Sequence, residues 1–591
     1  MSGEKWCHSS FSRRGKMTSD TIFLLLLAAV ASGQTLRIHH LDVGQGDGTL
    51  IQGPTGKTML IDAGEDGAGN AIVAPYLRAR GINRLDFLVA SHFHSDHLGG
   101  LDEVIRSGIP ATLVYDRGSF GTLPTTQSYT DYVAAAGAAR RTVAVGQVLD
   151  LGGGALATCV AVNGFLIGGG SVAITGSSQF ENSASVAWKI SFGNFQYFTA
   201  GDLTGGGNGT ADVETQLASR VGNVDAMKLS HHASATSTNT ILVAALRPEA
   251  CFASMGLANP YGHPHQEPLD YCNSAAAATP VYQTSAGTGN QGGIAVNGTI
   301  VLETDGTRYT VSGPVLRAAS FLCDELAATR PPLAGEARVS EYLANPAAVA
   351  DAQGEWFELF NTGCREPTLA GCRLRDAGTD SFTLRTTMLL PPMGYLVVGA
   401  SGNRAVNGGY TPDLVWPRGV FALGNSGDEI ILQTGKATTV DSVAYNGSFP
   451  IVNGQSSEKA NLLGPASGGN FLPSTVVFGA GDRGTPGARN SRDVTNLGPG
   501  FVSIAPAFGG APGGTPATIT GCGFVPGATT VRLGGGLPGL VTVVNATTIL
   551  ITTPAAPGYT PKDDTAMPIV VDLILTTPAG TTLVPGAFVY Y

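Results

Sequence analysis

The segment Ser91-His92-Phe93-His94-Ser95-Asp96-His97 places three histidines and an aspartate within six positions, directly after the apolar run 85–90. A strand end needs no such density of ligand groups for structural reasons. His92 and His94 stand two apart, so on an extended turn their rings converge on one cation. Asp96 and His97 then face the other way, toward a second. Neutral imidazole and carboxylate suit zinc and, less exclusively, manganese or iron. A chain built this way must present a loop at the end of a buried strand, and the pattern predicts a two-metal hydrolase site there.

Other strand ends carry matching groups. Asp62 closes Leu60-Ile61-Asp62-Ala63-Gly64, and Gly201-Asp202 follows the apolar run 195–199. A carboxylate at Asp202 can bridge two cations and neutralise part of their mutual repulsion. Ser230-His231-His232 follows the run 226–229 and can complete the shell of the second metal. Between these points, strands at 35–41, 58–61, 85–90, 185–190, 195–199 and 226–229 alternate with helical stretches at 71–80 and 101–107. Mixed strands and helices with ligands on the loops predict a layered α/β domain.

At 591 residues the chain has room for three or four domains. Its 82 glycines and 34 prolines punctuate short Val/Ile/Thr/Leu runs, which favours β-rich units with many tight turns. We divide it into a signal peptide (1–33), a hydrolase domain (34–315), a linker (316–332), a first β-sandwich (333–480), a second linker (481–500) and a second β-sandwich (501–591).

The signal peptide is read from Lys5, Arg13, Arg14 and Lys16, which precede the apolar run 22–30 and the small residues Ala31-Ser32-Gly33. The expected location is secreted, periplasmic or cell-surface. Export permits disulfides. Of the eight cysteines, Cys364 and Cys372 are the first candidate pair because they bracket a turn. Cys251 and Cys272 are the second.

Across about 280 residues the chain resembles the metallo-β-lactamase fold, and specifically the hydrolase domain of the ComEC-type competence proteins. The resembling segments are Leu41-Asp42-Val43-Gly44-Gln45-Gly46-Asp47, Ile61-Asp62-Ala63-Gly64 and 91–100. They continue in order with Glu181-Asn182-Ser183-Ala184-Ser185, Ala200-Gly201-Asp202-Leu203, 228–234 and 259–265. The resemblance implies a four-layer αββα domain. It assigns His92, His94, Asp96 and His97 to the metals, Asp202 to the bridge, and either His231 or His232, with His231 favoured, to the final ligand. Asp96, Asp202 and His265 are the candidate catalytic groups. Asp42, Asp47, Asp62, Asn182, His232 and His263 are candidates for supporting the ligands or meeting substrate.

Two departures stand out. The strand histidine that many such enzymes carry is missing near Glu181-Asn182, so the first site is short of a ligand or completed by Asn182 or water. The usual His-His-Gly-Ser is His231-His232-Ala233-Ser234, and alanine resists positive φ. No segment could form the competence proteins' membrane channel. The region from Val339 through Trp356-Phe357-Glu358-Leu359-Phe360-Asn361 resembles a lamin-tail domain, and the region from Gly513 to Tyr591 resembles an IPT/TIG domain. Both are immunoglobulin-like sandwiches.

The expected chemistry is hydrolysis by a dinuclear metal-activated hydroxide, with Zn2+ at two sites and Mn2+ as the other metal considered. The competence resemblance favours a phosphodiester substrate, with DNA as the natural polymer, and the sandwiches as contacts to a cell surface or polymer. Against DNA, residues 34–315 hold 14 Lys and Arg and 22 Asp and Glu, with no basic stripe. The rivals are a hydrolase of small esters, lactones or phosphocholine-like groups, and a surface adhesion or scaffold protein with a vestigial hydrolase domain. Every candidate ligand lies within 34–315, so that span by itself is expected to retain hydrolysis of a small phosphodiester.

Overall fold

The computed structural model describes residues 34–289, 292–323, 330–495, 497–560 and 568–591. The expected signal peptide lies outside them. Two nine-stranded sheets form the centre of the N-terminal unit. The first runs, edge to edge, Ala319–Leu322, Arg308–Ser312, Ile300–Thr304, Leu36–His40, Thr49–Gln52, Thr58–Ile61, Leu85–Val89, Ala111–Asp116 and Arg140–Thr142. The second runs from Gly293–Ala295 through Val281–Gln283, Ala250–Ala253, Ala226–Lys228, Phe195–Thr199 and Ala187–Phe192 to Ala155–Val162 and Val148–Gly152, with Phe165–Leu166 paired to Ala155–Val162 off this path.

Strand side chains alternate between faces, and here both faces are buried, so the strands read as continuous apolar runs. Met59 and Ile61 enter the core between the sheets, where they meet Trp188, Tyr197 and Phe252. Leu60 points outward to Val73, Leu77, Leu101 and Tyr132 on the helices over the first sheet. Phe198 and Met227 point outward to Leu217 and Leu242 on the helices over the second. Three apolar layers separate four layers of backbone, helix–sheet–sheet–helix, as the sequence implied.

Within each sheet the central strands are parallel. Thr58–Ile61 pairs with Leu85–Val89, and that with Ala111–Asp116. Phe195–Thr199, Ala226–Lys228 and Ala250–Ala253 pair likewise. Parallel strands bring their carboxyl ends to one edge, where ligands of open α/β sheets bind. Asp62, the histidine-rich loop, Asp202 and His231-His232 all leave from that edge.

Residues 337–473 form a six-stranded and a four-stranded sheet, and residues 500–590 form two four-stranded sheets. The stretch expected to be a linker at 316–332 opens instead with Ala319–Leu322, which pairs antiparallel with Arg308–Ser312 and buries Phe321. Residues 481–495 are not a linker either. Thr485, Gly487 and Arg492 donate backbone N–H groups to Glu341, Glu358 and Glu458 of the first sandwich.

The first sandwich is continuous with the hydrolase domain. Thr383 N–H donates to Ala275 O at 2.8 Å, Leu389 N–H to Ser320 O at 2.8 Å, and Ala295 N–H to Gly402 O at 3.1 Å. One apolar core runs through Phe321, Ile294 and Ala278 into Leu384, Met388 and Phe357.

The disulfide joins Cys364 to Cys522, linking the two sandwiches across 158 residues. The expected Cys364–Cys372 pair is therefore corrected: Cys372 is a buried free thiol. Gly500 stands against the disulfide, and a Cβ there would lie 1.8 Å from Cys364 Sγ. Cys251 and Cys272 are buried thiols in contact with each other.

Candidate metal centre and its cleft

His94 is extended (φ −74°, ψ 150°) and caps the single helical turn Ser95–Leu98. The backbone thus reverses between the first two histidines and the Asp96-His97 pair, and sends them to different sides. Loop 42–47 braces the turn from behind, with Asp47 N–H donating to Asp96 O at 3.0 Å. Gly46 permits this approach: its φ is +143°, and a Cβ would sit 2.3 Å from Asp96 O.

Two ligand clusters result, joined by Asp202. On one side His92 Nε2 lies 3.0 Å from His94 Nδ1 and 3.8 Å from Asp202 Oδ2. On the other, His97 Nε2 lies 3.1 Å from Asp202 Oδ1 and 3.9 Å from Asp96 Oδ2. His232 Nε2 lies 3.2 Å from Asp96 Oδ2 and 3.8 Å from Asp202 Oδ1. Ligands held about 2.0–2.2 Å from one Zn2+ stand about 3–4 Å from each other, so these spacings fit cation binding.

The choice between the paired histidines falls on His232. Its Nδ1 sits 2.9 Å from Ser254 O, which leaves Nε2 to face the second site. His231 faces the first cluster, with Nε2 3.6 Å from Asp202 Oδ2 and 3.3 Å from Asn182 Nδ2. The rings separate because His231, His232 and Ala233 all take left-handed backbone, with φ of 53°, 53° and 60°. Ala233 adopts the conformation that an alanine was expected to resist.

Hydrogen bonds behind the ligands aim them. Asp62 accepts from Ser91 N–H at 2.8 Å and lies 2.9 Å from His97 Nδ1, so His97 presents Nε2 to the site. Such outer partners fix tautomer and ring orientation. Asp47 belongs to the same buried group as His97, Asp202 and His232, whose ligand atoms all lie within 4.8 Å of one another. Its Oδ2 meets buried Lys228 Nζ at 2.5 Å, and both its oxygens lie beside the Nδ1 atoms of His97 and His232. Asp42 accepts weakly from Gly44 N–H and touches none of the ligands.

His97 Nε2, His232 Nε2 and Asp202 Oδ1 are buried with charged neighbours 3.1–3.9 Å away, yet none of the three is aligned for a hydrogen bond. Buried polar atoms rarely stay unpaired, and a divalent cation would satisfy all three together. The electrostatics agree. Burial favours neutral forms, yet Asp202, Asp96 and Asp62 hold His97 well above the usual imidazole range. Burial likewise opposes the charge on Asp202, but His97, His231 and His232 hold it well below the carboxylate range. The cluster therefore demands positive charge, which protons or a cation can supply.

A cleft of about 750 Å³ opens over the ligands. Asp96, Asp202, His94, His231 and His232 line it, with Asn182 and His263. Burial, followed by the neighbouring His232 and His231, lowers His263 to about 3 and keeps it neutral. His265 is not part of the lining. It stands at the start of Gln266–Cys272, its backbone N–H donates to Ala233 O, and its only ring contact among those described is His263, which does line the cleft.

Two supporting groups were not singled out from the sequence. Glu181 accepts from Phe93 N–H at 2.8 Å and binds buried Arg117 through both oxygens at 2.7 and 2.6 Å, anchoring the histidine loop. Lys228 braces Asp47 from below. The signal for both was their place in the resembling segments, 181–185 for Glu181 and 228–234 for Lys228.

Residues 41–128 match the metallo-beta-lactamase superfamily, 331–447 the lamin tail domain and 499–590 the IPT/TIG domain. The chain carries these three domains in that order. It is 25% identical over 287 residues to ComE operon protein 3 of Bacillus subtilis (strain 168), covering 46% of this chain and 34% of that protein. It is 27% identical over 256 residues to Recombination protein 2 of Haemophilus influenzae (strain ATCC 51907 / DSM 11121 / KW20 / Rd), covering 42% and 28%. The chain thus spans about a third of the length of the curated relatives it matches. Among solved structures, a diphosphatase from the PhnP family is 15% identical at a TM-score of 0.23, over 36% of this chain and 85% of that one. Among the described residues, no helix is long and apolar enough to cross a membrane.

Proposed function

We propose that the chain is an exported, metal-dependent phosphodiesterase acting at the Asp202-bridged site. The observation that carries this is the convergence of His97 Nε2, His232 Nε2 and Asp202 Oδ1, buried and not aligned for hydrogen bonds, with Asp47 and beside His92 and His94, under an open cleft lined by His94, Asp202 and His232. Two divalent cations, zinc first, held by these residues, would lower the pKa of a water and neutralise charge developing on phosphorus oxygens. Asp96 and Asp202 would orient the attacking water. Its oxygen bonds to phosphorus as one ester P–O bond breaks, the proton it gives up passes to solvent, and solvent protonates the departing oxygen. Neutral His263 hydrogen-bonds a phosphoryl oxygen and does not supply that proton near pH 7. The relatives, named for competence and recombination, support a nucleic-acid phosphodiester. The Cys364–Cys522 disulfide supports an oxidising compartment.

A second reading, a hydrolase of small esters, lactones or phosphocholine-like groups, draws on one observation: no Lys or Arg lines the cleft. The scaffold reading is weakened by the retention of His92, His94, Asp96, His97 and Asp202 in two clusters. Metal-reconstituted protein is to be assayed on bis-p-nitrophenyl phosphate, single-stranded DNA, p-nitrophenyl acetate and a lactone. We expect phosphodiester cleavage, lost by at least about 100-fold in His94→Ala and Asp202→Ala, in line with the cost of removing a transition-state charge stabiliser. Faster turnover of the carbon esters would favour the second reading, and no metal uptake would sink both.

A further inference from the structure

Resting on the phosphodiesterase reading, we propose that Tyr261 is the platform on which a substrate base stacks, so that the cleft takes a base-bearing phosphodiester of one or two nucleotides. Three rings step outward from the metal ligands. His232 lies nearly parallel to His263, at 5.7 Å and 27°, and His263 to Tyr261, at 5.8 Å and 24°. Tyr261 ends the series at the cleft with 60% of its surface exposed. An exposed aromatic at the rim of the cleft offers a stacking surface, and any base offers a π-face.

The platform is rigid. Asn259 accepts from His263 N–H at 2.9 Å and donates to His263 O at 2.6 Å and Gly256 O at 3.0 Å, closing the loop that carries Tyr261. Gln45 braces the same loop by accepting from Gly256 N–H at 3.0 Å. Ordering entropy is therefore already spent before substrate arrives.

Charge points the same way. Glu65, Asp96, Glu181 and Asp202 line the cleft without any Lys or Arg. The nearest cations, Arg117 and Lys228, are sealed by Glu181 and Asp47. Tight duplex binding draws on many phosphate contacts to basic groups. Here the grip must come from stacking plus the metals, and about 750 Å³ is the volume of a small-ligand site rather than a polymer groove.

The test compares thymidylyl-thymidine with the same phosphodiester bearing tetrahydrofuran abasic residues, using wild type, Tyr261→Ala and Tyr261→Phe, each metal-loaded. Tyr261→Ala should lose about tenfold in kcat/KM on the base-bearing compound, chiefly through KM, at the low end of the worth of one stacked base. It should match wild type on the abasic compound, and Tyr261→Phe should match wild type on both. Equal losses on the two compounds, or no loss on the first, would overturn the platform while leaving the phosphodiesterase reading intact. Wild type that cleaves neither compound would overturn the phosphodiesterase reading and the inference with it.

Discussion

Asp62 meets His97 at Nδ1, on the side away from the candidate metal site, and also holds Ser91 beside His92, so its removal deletes no candidate ligand but loosens the loop that carries them. Asp62→Ala is expected to weaken metal affinity by about 10–100-fold, the usual cost of an outer-shell partner. Competition with a chromophoric chelator measures it, and an unchanged affinity would refute the role. The histidine pair gives a second expectation. His232→Ala should lose about one metal equivalent per chain on elemental analysis, because it faces Asp96 and Asp202 Oδ1, whereas His231→Ala should lose less. At this scale the sequence named candidate groups that the fold brings together, because each follows an apolar run that ends at the sheet edge. It favoured His231 over His232, whereas the second cluster holds His232. That placement is set by positive φ at 231–233, which Ala233 argues against locally and the surrounding fold imposes. Glu181 with Arg117, 64 residues apart, and Lys228 with Asp47 were hidden because contacts of that range leave no local periodicity.

The strand Ala337–Leu343 puts Glu341 directly opposite Glu358 on one side and Glu458 on the other, so three carboxyls share one buried face. The segment 485–492 lies across them and satisfies them with backbone N–H and hydroxyl donors. Residues 481–500 look like a linker in sequence because Gly, Asn and Pro dominate them. Their structure comes from pairing with glutamates elsewhere in the chain. Ala319–Leu322 was missed for a related reason: Phe321 is its one large, fully buried residue. The glutamates also set a pH dependence. Burial raises Glu341 to about 7 and Glu355 to about 8, and raises Glu358 well above its ordinary value. The folded chain then keeps protons that the unfolded chain releases above about pH 4.5. Stability contributed by these groups is present at the acid side of the window and falls as pH rises from about 4.5 to about 8. The first sandwich should melt higher near pH 5.5 than near pH 8.5, and Glu341→Gln should flatten the difference. Scanning calorimetry that finds the opposite slope, unaltered in Glu341→Gln, would contradict this.

The three-domain order was legible throughout, but the division of labour read from it was not, since domain cores were taken as separate. The hydrolase domain and first sandwich share one apolar core, backbone hydrogen bonds at Ala275, Ser320 and Gly402, and an ion pair between Arg418 and Asp270 at 2.7 Å. The second sandwich has its own core around Ile519, Leu533, Leu573 and Phe588, and is tied to its neighbour by Cys364–Cys522. Two truncations should therefore behave differently. Ending the chain at 315 removes the edge strand with Phe321 and strips Leu384 and Met388 from the shared core. Uncovering buried apolar surface costs about 25 cal/mol per Å², so this fragment should melt well below the full chain or aggregate, despite holding every metal ligand. Ending the chain at 495 with Cys364→Ser leaves the shared core whole, and should keep the metal content and small-phosphodiester turnover of the full chain within about twofold, because none of the removed residues lines the cleft. Melting curves and metal analysis on both fragments decide the matter. A stable, fully loaded 34–315 fragment would show that the shared core is dispensable. An inactive 34–495 fragment would show that the last sandwich reaches the active site by a route that these contacts do not include.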